Sequence, residues 1–388
     1  MKKKIIIVND NLNCGGIQTS LRNLLHALPD EIDVTLLLFN NPGEPQAGLP
    51  ERVKIITPMH RYRLLGMTKN ELKGNFYLIF LKLFYTLLAS FIGKRRAMRL
   101  FGIFQKRSEE YDAAISYSHP TFSKSFSNGC AEFVLDKIRA DKKICYIHCD
   151  FVNGGFNTDY NRWLLSEYDI RACVSKSVKR IMDAVFPDSI DKNIVARNLL
   201  NSNVIDLSCV DTVTYEDGFI NLISVTRLSP EKGIDRAIRA LADTKREDIR
   251  LYILGDGPQK SELEMLIKSL KADKSIFLSG RTGNPYRYMK NADYLLVPSL
   301  HEAAPMVFDE ANQLGLPIIS TKTTSAEEML KGNGIVCENT QGALAEVLAK
   351  IEKPVIKQKQ INDNGLRVKE FYDMLRYCTD DKQIPDEK

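Results

Sequence analysis

The chain has 388 residues, of which 44% are hydrophobic and 27% are charged, with 22 Gly and 15 Pro. This composition is typical of a globular protein of about two domains, and it excludes collagen-like, low-complexity and largely disordered chains. The eight cysteines include no C-x-x-C pair, so we expect free thiols in a reducing compartment. The apolar run Ile5–Val8 is too short for the core of a signal peptide, and we therefore expect a cytoplasmic protein.

The net charge of +5 is distributed unevenly along the chain. Residues 1–200 carry 29 Lys and Arg against 20 Asp and Glu, whereas residues 201–388 carry 25 against 29. Between Arg52 and Arg107 there are 13 basic residues and one acidic residue, Glu71. Such a basic half indicates contact with an anionic surface. We expect no nucleic acid, since no zinc-finger, helix-turn-helix or RNP pattern accompanies the charge, and a membrane surface fits better.

The segment from Phe76 to Gly93 is apolar apart from Lys82 and precedes Lys94-Arg95-Arg96. A membrane-spanning helix is disfavoured, because a lysine at its centre would cost about 2.5–3.5 kcal/mol. An interfacial helix, with its apolar face in the lipid headgroups and its cations on anionic lipid, fits the pattern better. The alternative is a helix packed inside the first domain. Residues 76–107 are therefore the candidate membrane contact, on the inner face of the cell membrane.

Short apolar runs alternate with stretches of helical period, which predicts β-α units and parallel sheets. In the first half we predict strands at Lys4–Val8, Asp33–Phe39, Ala113–Tyr117, Lys143–Ile147 and Ile170–Val174, and helices at Ile17–Leu28 and Lys176–Val185. In the second half we predict strands at Phe219–Val225, Arg250–Leu254, Ile276–Leu278, Tyr294–Val297, Pro317–Ser320 and Ile335–Cys337, and helices at Ile234–Ala242, Gln259–Leu270, Tyr286–Lys290, Pro305–Leu314 and Ala343–Ile351.

These elements predict two doubly wound, Rossmann-like α/β domains that face each other across a cleft. The first spans residues 1–200 and the second residues 201–356. A C-terminal helix at about 357–380 is expected to pack back on the first domain.

Polar and glycine-rich segments follow the predicted strands at the ends where open α/β sheets bind ligands. These segments are Gly15-Gly16, His119, His148, Arg227, Gly255-Asp256-Gly257, Gly280-Arg281 and Ser299 to Glu302. Their repeated position at strand ends predicts a substrate cleft.

The segment from Arg227 to Lys232 follows a strand and opens a helix, which predicts a diphosphate site. Arg offers a fork of donors and Lys a point charge, and the helix N-terminus adds partial positive charge. Two carboxylates eight residues apart, Glu302 and Glu310, flank the start of another helix. A carboxylate at such a position accepts hydrogen bonds from a sugar or ribose diol.

With Gly15-Gly16 after the first strand, the Arg227/Lys232 pair and the Glu302-x7-Glu310 spacing, the chain resembles the family 4 glycosyltransferases of the GT-B fold over nearly its whole length. The resemblance implies a retaining enzyme that uses no metal and no other cofactor. It further implies that Arg227 and Lys232 hold the donor diphosphate, that Glu310 binds the donor ribose, and that Glu302 lies near the donor sugar. The donor site would also include Gly15, Gly16, Gly255, Gly257, Gly280, Arg281, Pro305, Met306 and Val307. The chain departs from the family at Ala303-Ala304, where Gly-Phe is usual, which leaves the donor sugar open.

A catalytic histidine is also implied by the resemblance, and two residues compete for the role. His119 is the better positional match, whereas Ile147-His148-Cys149-Asp150 matches the Ile-His-x-Asp pattern of some relatives. The expected catalytic set is therefore His119, His148, Arg227, Lys232 and Glu302.

The resulting hypothesis is a glycosyltransferase that moves a sugar from a nucleoside diphosphate, expected to be UDP, to a lipid-linked or polysaccharide acceptor in cell-surface glycan synthesis. Two alternatives remain: a sugar-nucleotide epimerase of the same fold, and a non-catalytic nucleotide-sugar-binding subunit of an assembly complex. A dehydrogenase is disfavoured, since neither half opens with G-x-G-x-x-G.

Overall fold

A computed structural model describes residues 2–13, 15–40, 48–67, 69–123, 125–209, 211–354 and 364–376, without the side chains of residues 69 and 70. The chain divides into two compact units. Unit 1 comprises Met1–Leu199 and Asn364–Lys388, and unit 2 comprises Leu200–Asp363.

Unit 1 is built on a seven-stranded parallel sheet with the order β3-β2-β1-β4-β5-β6-β7. Its strands are β1 (Lys3–Asn9), β2 (Ile32–Leu38), β3 (Lys54–Ile56), β4 (Glu110–Ser116), β5 (Arg139–Ile147), β6 (Ile170–Cys173) and β7 (Asn193–Val195). Ile5 to Val8 are fully buried, as expected of a parallel strand covered on both faces. The α-helices that the structure describes up to residue 209 are α1 (Gly16–Ala27), α2 (Arg63–Gly66), α3 (Lys69–Leu72), α4 (Phe76–Ile92), α5 (Lys94–Phe101), α6 (Cys130–Lys137), α7 (Asp159–Ser166), α8 (Lys176–Val185) and, in unit 2, α9 (Ser202–Leu207).

Unit 2 is built on a six-stranded parallel sheet with the order β10-β9-β8-β11-β12-β13. Its strands are β8 (Ile220–Val225), β9 (Ile249–Leu254), β10 (Ile276–Gly280), β11 (Tyr294–Val297), β12 (Ile318–Thr321) and β13 (Gly334–Cys337). The helices that follow α9 are α10 (Ile234–Thr244), α11 (Lys260–Ser269), α12 (Tyr286–Met289), α13 (Met306–Leu314), α14 (Ala326–Leu330), α15 (Gln341–Lys350) and, in unit 1, α16 (Asn364–Arg376).

The strand order reverses direction between β8 and β11, which lie side by side in the sheet of unit 2. Such a reversal opens a crevice beyond the carboxyl ends of the two strands, where ligands of doubly wound folds bind. The segment after β8 contains Arg227 and Lys232, and the segment after β11 contains Glu302. The topology of unit 2 therefore brings these two segments to the same crevice.

The α/β fold class predicted from the sequence is confirmed, and the predicted strand and helix positions in unit 2 match the structure within two or three residues. Sequence periodicity missed β3 and β7, because three residues are too few to show an alternating pattern.

The predicted C-terminal helix is only partly described, since residues 357–363 and 377–380 lie outside the described ranges. The described helix, α16, packs within unit 1: Lys3 Nζ donates to the Leu375 carbonyl at 2.8 Å, and Arg197 pairs with Glu370.

Candidate functional site

The segment after β8 makes a sharp turn before α10 begins. Pro230–Lys232 form one turn of 3-10 helix, and Gly233 follows in the left-handed conformation with φ 62°. A Cβ at Gly233 would lie 2.2 Å from the Pro298 carbonyl oxygen, so only glycine fits between this turn and the segment after β11. Lys232 is thereby held at the entrance to α10, where the sequence predicted it.

Lys232 and Glu302, both predicted site residues, are in direct contact. Lys232 Nζ donates to Glu302 Oε1 at 2.6 Å, and Ser299 Oγ donates to the same oxygen at 2.8 Å. The carboxylate is only 12% exposed. A backbone hydrogen bond of 2.9 Å from the Leu300 N–H to the Glu231 carbonyl joins the same two segments.

Arg227 has a carboxylate partner of its own, which the sequence analysis missed. Its Nη2 donates to Glu231 Oε1 at 2.7 Å, and Ser229 Oγ donates to the same carboxylate oxygen at 2.6 Å. Burial alone would raise the pKa of Glu231, but the hydrogen bonds from Ser229, its own backbone N–H and Arg227 lower that pKa to about 2. The opposite charges of residues 227 and 231, four positions apart, were the sequence signal that could have predicted this contact. A single anion held between Arg227 and Lys232 stays a prediction.

Gly255 and Gly257 allow the segment after β9 to lie against the segment after β8. A Cβ at Gly255 would lie 1.8 Å from the Thr226 carbonyl oxygen, and one at Gly257 would lie 2.2 Å from that of Leu228. The two segments also share a backbone hydrogen bond of 3.0 Å, from the Leu228 N–H to the Asp256 carbonyl. Backbone packing thus explains both glycines, and their contact with a donor stays a prediction.

Two further predicted donor residues lie at the end of β10. Gly280 ends the strand with φ 73° and has open space around it, and Arg281 is exposed. This conformation favours glycine, and the open space leaves the backbone accessible.

Glu310 lies in the second turn of α13 with a partner different from that of Glu302. Tyr286 donates to Glu310 Oε1 at 3.2 Å. Burial raises the pKa of this carboxyl to about 7, although the hydrogen bond from Tyr286 opposes the shift. Glu310 therefore gains and loses a proton in the neutral range, which the sequence did not predict.

The other predicted residues of this helix lie at its start. Pro305 precedes α13 in an extended conformation, Met306 is its first residue and is buried, and Val307 is partly buried. The first N–H groups of a helix have no partner within it and attract negative charge.

In unit 1, Gly15 and Gly16 lie at the N-terminus of α1, while Cys14 lies outside the described residues. A Cβ at Gly15 would approach only the flexible end of the Gln18 side chain. Local backbone packing therefore does not explain a glycine there.

His119 and His148 follow β4 and β5, which are neighbours in the sheet. Burial lowers the pKa of His119 to about 4. Burial also lowers the pKa of His148, and the adjacent His119 lowers it further, to about 3. Among the described residues, His119 Nδ1 and His148 Nε2 are shielded from solvent and have no hydrogen-bond partner. The structure brings both candidate histidines together as neutral imidazoles.

Asp10, just after β1, was not singled out from the sequence. Burial raises the pKa of its carboxyl to about 6, despite hydrogen bonds from nearby backbone N–H groups. It follows β1, the neighbour of β4 in the sheet, at the same end of the sheet as the two histidines.

The predicted membrane segment contains α4, α5 and the residues after them, and it presents a large apolar surface. Its exposed large apolar side chains are Phe76, Tyr77, Phe80, Leu83, Phe84, Leu87, Phe91, Leu100, Ile103 and Phe104, which we call the α4 surface. Lys82 and Thr86 of α4 are partly buried, and Thr86 Oγ1 donates to the Lys82 carbonyl at 2.7 Å. No helix in the described ranges is both long and apolar enough to cross a membrane.

The predicted contact of Lys94 and Arg95 with lipid is wrong, since both side chains are buried. Lys94 Nζ lies 3.4 Å from Glu132 Oε1 and donates to Thr121 Oγ1 at 2.6 Å. Arg95 pairs with Asp136 at 2.9 Å. Arg96 and Arg99 remain exposed, and Arg99 shares the Asp136 carboxylate.

Comparisons with known proteins find a family match in the second half of the chain. Residues 214–368 match the family of glycosyl transferases group 1. The chain is 35% identical over 109 residues to an uncharacterized glycosyltransferase of Methanocaldococcus jannaschii, covering 28% of this chain and 27% of the relative. It is 27% identical over 230 residues to an N-acetylgalactosamine-N,N'-diacetylbacillosaminyl-diphospho-undecaprenol 4-alpha-N-acetylgalactosaminyltransferase of Campylobacter jejuni, covering 57% and 62%. The alignments thus span less than two thirds of either relative.

Solved structures resemble the chain over nearly its full length. Anabaena HepE in complex with UDP-glucose superimposes with a TM-score of 0.62 at 16% identity, over 97% of this chain and 98% of HepE. TarM superimposes with a TM-score of 0.64 at 11% identity, over 97% and 99%. The chain therefore has the two-domain GT-B fold, and its residues 214–368 match a family of transferase enzymes, the glycosyl transferases group 1.

Proposed function

We propose that the chain is a retaining glycosyltransferase that moves a sugar from a nucleoside diphosphate, expected to be UDP, to a lipid-linked or polysaccharide acceptor in cell-surface glycan synthesis. The observation that carries this proposal is the Lys232–Glu302 contact beyond β8 and β11, at the reversal of strand order in a group 1 glycosyltransferase domain. A sugar nucleotide needs cations for its diphosphate and carboxylates for its hydroxyl groups. This crevice supplies both.

The chemistry assigned to these residues is stabilisation of the leaving group. Breaking the bond between the sugar and the diphosphate develops negative charge on the departing nucleoside diphosphate. Arg227, Lys232 and the N–H groups at the start of α13 would stabilise that charge, and preorganised donors of this kind act more strongly than water does. These cations would perform the role that a divalent metal has in other transferases, so we propose a reaction without a metal or another cofactor.

Roles for the remaining residues follow the same proposal. Glu310 would accept a hydrogen bond from the donor ribose, and Glu302 would lie near the donor sugar. We assign the neutral imidazoles of His119 and His148, in unit 1, a role on the donor sugar, as the family resemblance implies. A neutral imidazole can accept or donate one hydrogen bond without bringing charge to the reacting carbon.

The relatives support this choice of substrates. The name of the Campylobacter jejuni relative describes transfer to a sugar on diphospho-undecaprenol, which is a lipid-linked acceptor. Another relative is a putative colanic acid biosynthesis glycosyltransferase of Escherichia coli, 30% identical over 159 residues. The HepE structure contains UDP-glucose. A lipid-linked or polysaccharide acceptor and a UDP-sugar donor are the substrates we therefore propose.

Thermal unfolding with UDP, GDP, ADP and CMP, in the absence of metal, tests the donor site. A ligand at a hundredfold its dissociation constant stabilises the folded protein by about 2.7 kcal/mol, which is a measurable shift in Tm. We expect the shift with UDP and its loss in Arg227→Ala. A Tm shift with a different nucleotide would show that the donor has a base other than uracil. No Tm shift with any of the four nucleotides would contradict the proposal.

Turnover of the labelled sugar nucleotide then separates the enzyme from its alternatives. A transferase releases nucleoside diphosphate and labels the acceptor. An epimerase changes the sugar while it remains on a nucleotide, and a non-catalytic subunit binds without turnover. The stereochemistry of the product tests retention.

We also propose that the α4 surface contacts the anionic inner face of the cell membrane. Phe76 and Phe91, at opposite ends of α4, are 85% and 79% exposed. Residues 72–108 include no Asp or Glu, and five of their Lys and Arg residues are exposed: Lys73, Arg96, Arg99, Lys106 and Arg107. Clustered exposed apolar side chains mark an interaction site, and cations beside them favour anionic lipid. A symmetric contact between two copies would place the same cations opposite each other, which disfavours a dimer.

Sedimentation with vesicles tests the membrane contact. The full chain should sediment with vesicles that contain phosphatidylglycerol, and less with vesicles of phosphatidylcholine alone. The double variant Phe80→Ser, Leu83→Ser should remain in the supernatant. The matched control is Met265→Ser, which removes an exposed apolar side chain from α11 in unit 2. Equal sedimentation of the double variant and the wild type would contradict the proposal.

A further inference from the structure

Glu231 lies beside Lys232 in the turn after β8, and the proposed function gives it no role. Its carboxylate Oε1 accepts hydrogen bonds from Arg227 Nη2 at 2.7 Å and from Ser229 Oγ at 2.6 Å. Its side chain is 30% exposed, whereas that of Arg227 is 69% exposed. A long, exposed arginine side chain is thus tied to its own turn by a less exposed carboxylate.

The contacts occupy one particular edge of the Arg227 guanidinium. Nε donates to Ser229 Oγ at 3.2 Å, and Nη2 donates to Glu231 Oε1 at 2.7 Å. Nε and Nη2 form one of the paired-donor edges that an arginine uses for bidentate contacts. With this edge occupied, the Nη1 end of the guanidinium is the part left to meet an incoming anion.

Glu231 also connects this arrangement with the segment after β11. Its carbonyl oxygen accepts the Leu300 N–H at 2.9 Å, two residues before Glu302. Lys232, the next residue, contacts Glu302 at 2.6 Å. Glu231 therefore links the orientation of the Arg227 side chain to the position of the Lys232–Glu302 pair.

We propose that Glu231 is a positioning residue, which holds the Arg227 guanidinium so that its Nη1 end and Lys232 meet the two phosphates of a nucleoside diphosphate. This inference rests on the proposed function and deepens it. An arginine side chain loses much rotamer freedom when it binds a phosphate, and a side chain already held in place loses less. Glu231 thereby strengthens phosphate binding although it has a negative charge itself.

The opposite role, in which Glu231 competes with phosphate for Arg227, makes the opposite prediction. A competing carboxylate would weaken binding, so its removal would tighten the complex. Positioning predicts that its removal loosens the complex. The sign of the change in affinity therefore decides between the two roles.

Isothermal titration of the full-length protein is the test, with UDP, GDP, ADP and CDP, and with the nucleoside of whichever diphosphate binds. Glu231→Ala should weaken diphosphate binding by about tenfold, as expected when one charge-assisted hydrogen bond is lost. Glu231→Gln keeps an acceptor oxygen and should weaken it less. Nucleoside binding should not change, because Arg227 is assigned to the phosphates. The matched control is Glu264→Gln, which removes an exposed carboxylate from α11.

A double-mutant cycle with Arg227→Ala completes the test. In the Arg227→Ala background, Glu231→Ala should cause no further loss. Unchanged or tighter diphosphate binding in Glu231→Ala, an equal loss of nucleoside binding, or a full additional loss in the double variant would each overturn the inference. A wild-type protein that binds none of the four diphosphates would instead contradict the proposed function, so the two failures are distinguishable.

Discussion

The ammonium group of Lys232 lies 2.6 Å from the Glu302 carboxylate, although 70 residues separate them in the chain. The two residues follow β8 and β11, which lie side by side although β9 and β10 come between them in the chain. The contact joins a cation assigned to the donor diphosphate with a carboxylate assigned to the donor sugar. It is therefore the point where phosphate and sugar recognition meet in the proposed site.

Replacing Lys232 should lower both activity and stability. Among the described residues, Lys232→Ala leaves the largely buried Glu302 with Ser299 as its remaining side-chain partner, and we expect a loss of about 1–3 kcal/mol in the free energy of unfolding. Loss of a charge that stabilises the leaving group should lower kcat by about 10²–10³. Urea unfolding and initial-rate kinetics measure the two effects. Lys260→Ala, an exposed lysine on α11, should change neither; equal kcat in the wild type and Lys232→Ala would exclude the catalytic role.

Glu310 should make the stability of unit 2 depend on pH. Burial raises the pKa of its carboxyl to about 7 from a reference value of 4.5, so the folded state binds more protons than the unfolded state between these values. Its contribution is complete below about pH 4.5 and is lost as pH rises through about 7, by roughly 3 kcal/mol in all. Relative to Glu310→Gln, the wild type should lose stability over this range in urea titrations. If the difference in the free energy of unfolding between the wild type and Glu310→Gln is constant from pH 4.5 to 8, the raised pKa of Glu310 is contradicted.

Gly233 should tolerate no side chain. Gly233→Ala places a Cβ 2.2 Å from the Pro298 carbonyl oxygen at a residue with φ 62°. Since both backbone segments are attached to strands, we expect a loss of about 1–3 kcal/mol in the free energy of unfolding. Weaker nucleotide binding should accompany that loss. Gly342→Ala is the matched control: the added Cβ meets open space on α15, and stability should rise by about 0.5–1 kcal/mol. An unchanged Tm in Gly233→Ala would show that the turn can move.

The two histidines should make the protein sensitive to acid. Burial lowers the pKa of His119 to about 4 and that of His148 to about 3, below the reference value of 6.5. The unfolded state then binds more protons, so the stability contributed above pH 6.5 is lost as pH falls through these values. Tm measured from pH 7 to pH 4 should fall less steeply in His119→Asn and His148→Asn than in the wild type. His26→Asn, on the exposed side of α1, should follow the wild type; identical slopes in all four proteins would contradict the shifts.

Much of the fold and part of the candidate site could be predicted from local sequence. The strand β8, the opening of α10 after Lys232 and the helix α13 were placed within a few residues, because the periodicity of strands and helices is a local signal. The predicted residues of unit 2 also follow strands as expected. Local sequence patterns do not predict the three-residue strands β3 and β7, because these strands depend on pairing with neighbouring strands.

The sequence by itself determined which residues have the chemistry for a sugar nucleotide, and where along the chain each would lie. Only the tertiary structure decided how those charges are partnered. It paired Arg227 with Glu231 and Lys232 with Glu302, buried Lys94 and Arg95 against carboxylates, and turned the apolar side chains of α4 outward. The physical reason is that a side chain's partners depend on strand order and helix packing. Strand order and helix packing bring together residues that lie tens of positions apart in the chain. Which of these contacts form depends on how the whole unit buries its side chains.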